Sequence, residues 1–213
     1  MIVVGVLVSG SGTNLQAIID GVASGRLDCR IGLVASNRPG VRALERASAA
    51  GLTTRVLDHK RFSRREAFDA ALVEALREAG VELVVLAGFD RLVTRVLLDA
   101  FPQRVINIHP ALLPAFKGLH AQKDALDYGV KVAGATVHLV DEETDHGPII
   151  VQGVIAVRSD DTEETLRERI LGVEHAIYPA AIQLFAEGRI EVRGRRVLVR
   201  GDPPSTASTL IQW

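Results

Sequence analysis

The chain has 213 residues, 47% hydrophobic and 24% charged, an ordinary globular composition with length enough for a sizeable core. A formal net charge of −1 with no long Lys/Arg run gives a nucleic-acid or membrane-surface partner no bulk electrostatic support, so small-molecule partners are expected. Cys29 is the only cysteine, which excludes an internal disulfide and a thiolate-rich metal site and fits a reducing, cytoplasmic setting.

In chain order, MIVVGVLV reads as a first strand rather than a signal peptide, because it lacks a charged leader and runs straight into a glycine loop. Short β-branched runs recur at 2–8, 31–35, 53–57, 81–87 and 104–108, with helix-like segments between them. Pro39 is placed to start one helix, and S63-R-R-E66 resembles a capping box ahead of AFDAALVEALREAG. KVAGATVHLV (131–140) and PIIVQGVIAV (148–157) predict an antiparallel pair around the acidic loop DEETDHG. D161-T-E-E164 opens a long helix to about residue 187, bent near Pro179, and 190–200 predicts a small hairpin around Gly194. The fold class is therefore α/β, an open, mostly parallel Rossmann-like sheet with helices on both faces and antiparallel strands in the C-terminal half. No apolar run is long enough to span a bilayer.

In such sheets ligands collect beyond the carboxyl ends of the strands. After the first strand comes S9-G-S-G-T-N14, a glycine turn leading into a helix, where free backbone N–H groups and the helix dipole favour a phosphate or carboxylate. Thr13 and Asn14 add side-chain donors. The dinucleotide pattern fails at Leu15, where a third glycine belongs, although Arg38 after the second strand keeps a 2′-phosphate reading open. A purely steric tight turn is the bland alternative. Neither a nucleophile elbow nor a P-loop fits these residues.

VINIHP (105–110) carries two polar groups in an apolar strand. Alternation puts Asn107 and His109 on one face, and Pro110 ends the strand, so both lie at the carboxyl edge. A histidine there is more often structural than catalytic. Yet an amide donor beside a His that can be protonated suits an oxyanion and proton transfer near neutral pH. Such a His needs an anion, and Asp141, Glu142, Glu143 and Asp145 are the nearby candidates; the loop's bland reading is a solvated turn. His120, His138 and His146 raise metal ligation, but no HxH, HExxH or CxxC spacing occurs, and a metal-free acid–base site is preferred.

Taken together, SGSGTNLQAII, LAGFDR, NIHPALLP, VHLVDEETDHGPII and EHAIYP resemble the folate-dependent formyltransferases, in their glycinamide ribonucleotide formyltransferase branch, in order over about residues 2–190. The resemblance implies transfer of a formyl group from 10-formyltetrahydrofolate, as co-substrate and without a metal, to the amine of glycinamide ribonucleotide in purine biosynthesis. It implies that Asn107 and His109 polarise the formyl oxygen while Asp145 sustains the protonated His. It places the ribonucleotide phosphate on Gly12, Thr13 and Asn14 and a substrate hydroxyl on Glu174, which sequence alone reads as an exposed helical charge. Folate would lie against Asp90, Arg91, Leu92, Val93, Asn107 and the loop Asp141, Glu142, Glu143, Thr144, Asp145, with Arg65 near its glutamate end.

Asp90, Lys117 and His146 depart from the commoner family pattern of Met, Pro and Gly. One domain over 1–200 is expected, with a phosphate-binding half (1–100), a catalytic and folate-binding half (101–200) and a tail (201–213), as a monomer or homodimer. The rivals are a formyltetrahydrofolate hydrolase and a non-catalytic nucleotide or folate-binding module.

Overall fold

Val and Ile fill the first apolar run, and it forms the middle strand β1 (Ile2–Val8), covered on both faces so that Val4, Val6, Leu7 and Val8 are fully buried. A computed structural model describes residues 1–201 of the chain. Its residues divide into two compact units, Met1–Asn107 and from Ile108 onward. The first unit continues with α1 (Thr13–Ala23), β2 (Cys29–Ser36), α2 (Arg42–Ala49), β3 (Thr54–Val56), a 3-10 turn (His59–Arg61), α3 (Arg65–Glu78), β4 (Leu83–Leu86), α4 (Arg95–Ala100) and the first three residues of β5 (Val105–His109), whose last two begin the second unit.

Strands of this unit run in the order β3-β2-β1-β4-β5, all parallel. The order reverses between β1 and β4, which is the switch point where an open sheet leaves a crevice beyond its carboxyl edge. Ser9 N–H donates to the Gly88 carbonyl at 3.1 Å just past these two strands, so the segments that follow them begin side by side. Cys29 starts β2 and is 3% exposed; burial, and then the Asp28 charge, push its thiol up to about 11.

The second unit holds α5 (Ala121–Tyr128), β6 (Val132–Leu139), β7 (Ile149–Ala156), α6 (Glu163–Ala186), β8 (Ile190–Arg193) and β9 (Arg196–Val199). β6 and β7 pair antiparallel with a register shift at Val137/His138, and β8 and β9 pair antiparallel with β9 beside β7. The α6 helix lays Leu166, Ile170, Val173, Ile177 and Ile182 inward at helical spacing and packs on β6 and β7.

The predicted strands and the 131–157 and 190–200 pairs are all present, with four local corrections. Gly40, at φ 66°, turns the chain after Pro39, so α2 starts only at Arg42 with Val41 as its N-cap. Ser63 does not cap α3: Arg64 is extended and holds the N-cap position, which puts Glu66 one residue too early for a capping box. The α6 box is made by Thr162 and Thr165 instead, whose hydroxyls each accept the other's backbone N–H, at 3.2 and 2.8 Å. Pro179 lies inside this helix, which continues to Ala186. The α5 helix is absent from the sequence reading because its buried face is only Ala121 and Ala125, too faint a periodicity to see. Apart from Gly201, the tail lies outside the described residues.

Candidate active site

Gly12 shows why the first loop must be glycine. It caps α1 at φ 71°, in the left-handed region, and a Cβ there would come within 2.7 Å of the Ala43 Cα on α2. Thr13 and Asn14 follow as the first two helical residues, Thr13 half-buried and Asn14 buried. The first-turn N–H groups of α1 therefore open just beyond the end of β1, the place where an anion is favoured. Arg46 of α2 steadies the loop from the side: Nε donates to the Ser11 carbonyl at 2.9 Å and Nη1 to Gln16 Oε1 at 3.1 Å.

A polar network lies at the switch point. Ser9 Oγ donates to Asn37 Oδ1 at 2.6 Å, Asn37 Nδ2 donates to Asp90 Oδ1 at 2.9 Å, and Asp90 N–H donates to Ser9 Oγ at 3.0 Å. Arg38 pairs with Asp90. Burial works against the Asp90 charge, but hydrogen bonds from Asn37 and Ser9 and the Arg38 charge outweigh it and hold the carboxyl below its usual range. The Arg38 guanidinium, which kept a 2′-phosphate reading open, is thus engaged by Asp90. Ser9 and Asn37 were missed from sequence, because a Ser and an Asn at strand ends look like ordinary turn residues.

Further along this segment Arg91 stacks over the Phe68 ring, 5.4 Å from its centroid, while Leu92 is 57% exposed and Val93 half-buried. Asp69 accepts from Thr94 N–H at 2.5 Å, which fixes the start of α4 directly behind Val93. Arg65 is exposed at the first position of α3.

In the second unit His109 ends β5 with 4% exposure, between two acceptors. Its Nε2 lies 2.8 Å from the Phe116 carbonyl and its Nδ1 lies 3.3 Å from Asp145 Oδ2. A carbonyl and a carboxylate both accept, so only a ring protonated on both nitrogens donates to both. Asp145 Oδ2 also takes the Gly118 N–H at 3.0 Å, and its side chain is 11% exposed. Asn107 stands two residues before His109 on the same strand and shares its face.

His138 approaches Asp145 from β6, with Nε2 at 3.8 Å from Oδ1. Its Nδ1 lies 2.8 Å from the Leu139 carbonyl and donates to it. Burial above all lowers the affinity of this ring for a second proton, against the opposing pull of Asp145 and Asp141. A neutral His138 stabilises the fold fully above the ordinary value of 6.5; as pH falls below it the unfolded chain binds the extra proton first, and stability is lost. Unfolding midpoints measured on either side of that value should show the loss, and His138→Asn should reduce it.

Of the acidic loop, Asp141 and Asp145 are half-buried while Glu142, Glu143 and Thr144 are exposed. Asp141 Oδ1 accepts from Glu143 N–H at 3.1 Å and Oδ2 lies 2.8 Å from His146 Nδ1. The reading of the whole segment as a solvated turn therefore fails at Asp141 and Asp145. Glu174 is 6% exposed inside α6, so the reading of it as an exposed helical charge also fails. Gly118 and the Phe116 carbonyl were missed, since backbone groups carry no sequence signal beyond the glycine itself.

The arrangement around His109 holds a buried imidazole between a backbone carbonyl and a carboxylate. Residues 2–182 match the formyl transferase family. The chain is 39% identical over 201 residues to the phosphoribosylglycinamide formyltransferase of Escherichia coli, covering 93% of this chain and 95% of that protein. The chain belongs to this family of formyltransferases. It is also similar to a solved structure of glycinamide ribonucleotide transformylase 1 from Symbiobacterium toebii, with a TM-score of 0.92, 56% identity and coverage of 93% and 94% of the two chains. The trifunctional purine biosynthetic protein adenosine-3 of Gallus gallus is 47% identical over 189 residues, and the chain spans 19% of that protein's length. Among the described residues no helix is long and apolar enough to cross a membrane, and no three His, Cys, Asp or Glu side chains are grouped to hold a metal ion.

Proposed function

We propose that the chain transfers the formyl group of 10-formyltetrahydrofolate to the primary amine of glycinamide ribonucleotide, a step of purine biosynthesis. The observation that carries this reading is the buried His109 held against Asp145, with Asn107 beside it on the strand, in a chain of the formyltransferase family.

In this mechanism the substrate amine attacks the formyl carbon and its C=O opens to an oxyanion. The Asn107 amide and a protonated His109 donate to that oxygen as charge develops, which is where fixed donors accelerate acyl transfer. The Nε2–H that meets the Phe116 carbonyl turns to the oxyanion, while Asp145 keeps Nδ1. The carbon–N10 bond of the folate then breaks, the amine loses a proton and N10 gains one, giving formylglycinamide ribonucleotide and tetrahydrofolate.

Gly12, Thr13 and Asn14 receive the ribonucleotide phosphate and Glu174 a ribose hydroxyl. Folate is contacted by Asp90, Arg91, Leu92, Val93, Asn107 and residues 141–145, with Arg65 toward its glutamate end. The loop at the start of α1 supports the first assignment, and the family resemblance supports the others. Asn14→Ala should raise KM for glycinamide ribonucleotide about tenfold with little change in kcat, as loss of uniform binding does. Steady-state kinetics with the ribonucleotide varied check this, and an unchanged KM removes the phosphate assignment.

The deciding experiment measures tetrahydrofolate production from 10-formyltetrahydrofolate with and without glycinamide ribonucleotide. Turnover that depends on the ribonucleotide supports the transferase; equal turnover without it identifies a hydrolase. Binding of both ligands without turnover identifies a non-catalytic module.

A further inference from the structure

The turn of the C-terminal hairpin reaches back to the loop that carries Asp145. Arg195 follows Gly194 between β8 and β9, where Gly194 turns the chain at φ 59°. Arg195 Nη2 donates to the His146 carbonyl at 2.6 Å, and Nη1 lies 3.0 Å from His146 Nε2. Nη1 is also 3.4 Å from Nδ1, so the guanidinium lies against the side of the ring. A carboxylate only accepts, so Nδ1 carries a proton and donates it to Asp141 Oδ2, 2.8 Å away. Guanidinium, imidazole and carboxylate thus tie the two ends of segment 141–146 to each other and to the hairpin turn.

This strap has a strained residue to hold. Asp145 adopts φ 47°, in the left-handed region, a conformation unfavourable for a non-glycine residue. Such backbone persists only where its surroundings over-determine it. His146 is the next residue, so fixing its carbonyl and its ring fixes the direction in which Asp145 leaves the loop.

We propose that Arg195 is a positioning residue for formyl transfer, holding the Asp145 backbone through His146 so that the carboxylate meets His109. The inference rests on the assignment of Asp145 as the partner of His109 in the reaction proposed above.

The test compares Arg195→Met, Arg195→Lys and Arg196→Met in ribonucleotide-dependent turnover, beside His109→Asn. Arg195→Met is expected to lower kcat about tenfold, within the range that small misplacement of a catalytic group produces, with KM for glycinamide ribonucleotide unchanged. Arg195→Lys should recover part of the loss, because an ammonium still donates to the His146 carbonyl. Arg196→Met removes the same charge from the exposed neighbouring residue and should leave kcat as it was. Nitrogen-15 shifts of the His146 ring and the carbon-13 shift of its carbonyl should move in Arg195→Met and stay unchanged in Arg196→Met, independently of activity. Unchanged kcat in Arg195→Met, in an enzyme that His109→Asn disables, overturns this proposal alone, as does an equal loss in Arg196→Met. A native chain without ribonucleotide-dependent turnover overturns the reading of the site itself.

Discussion

Asp145→Asn is expected to lower kcat about a hundredfold, the scale reached when one preorganised partner of an oxyanion is lost, and to leave KM for glycinamide ribonucleotide near its native value. The change is nearly isosteric, so the Gly118 N–H can keep its oxygen acceptor at this position. What disappears is the negative charge 3.3 Å from His109 Nδ1. Without that charge the ring loses its ionic partner, and a ring with one proton cannot donate both to residue 145 and to an oxyanion. His109→Asn should lose as much, because a neutral amide cannot supply the proton. Steady-state turnover at saturating substrates checks both, and near-native kcat in either variant removes the roles given to this pair.

Gly147→Ala is expected to cost about 3 kcal/mol of stability, at the upper end for overpacking, and to depress kcat with it. The neck of the Asp145 loop closes through the Leu139 N–H, which donates to the Pro148 carbonyl at 2.9 Å. A Cβ at Gly147 would be driven into the Leu139 carbonyl oxygen, and both partners are backbone, so neither can swing aside. The loop must open two residues from Asp145. Gly172→Ala is the contrasting change: on an exposed position of α6 an added Cβ meets nothing, and helix propensity should raise stability by about 1 kcal/mol. Denaturant unfolding of the two variants separates them, and a Gly147→Ala protein as stable as the native chain would contradict the close approach.

The parallel strands of the first unit were legible because each is buried on both faces and so is written as an unbroken β-branched run. VINIHP was legible for the opposite reason: Asn107 and His109 interrupt such a run at period two, and alternation alone pairs them. Spacing alone left Asp145 as one of four acids, and only the family resemblance singled it out. Its selection depends on a left-handed turn, on the Gly118 N–H and on the distance to His109, none of which has a spacing in the chain. Glu174 misled for a related reason, since a charge on a helix is written identically whether that face meets water or protein. The α2 and α3 starts were misplaced, by three residues and by one, because Pro39 and Ser63 are favourable helix openers locally, while Gly40 and the extended Arg64 decide where the helices begin.

Cys29 turns its seclusion into a measuring device. A thiol that is 3% exposed and pushed up to about 11 presents almost no thiolate to an alkylating reagent, whereas the unfolded chain returns it to water and to its ordinary value of 9.0. Modification therefore waits on opening of the β2 region, and its rate at high reagent concentration reads how often that happens. With a single sulfhydryl in the sequence, each labelled molecule gains one mass increment and one only. Variants disabled at His109 or Asp145 can thus be ranked for foldedness by mass spectrometry, with no substrate in the tube.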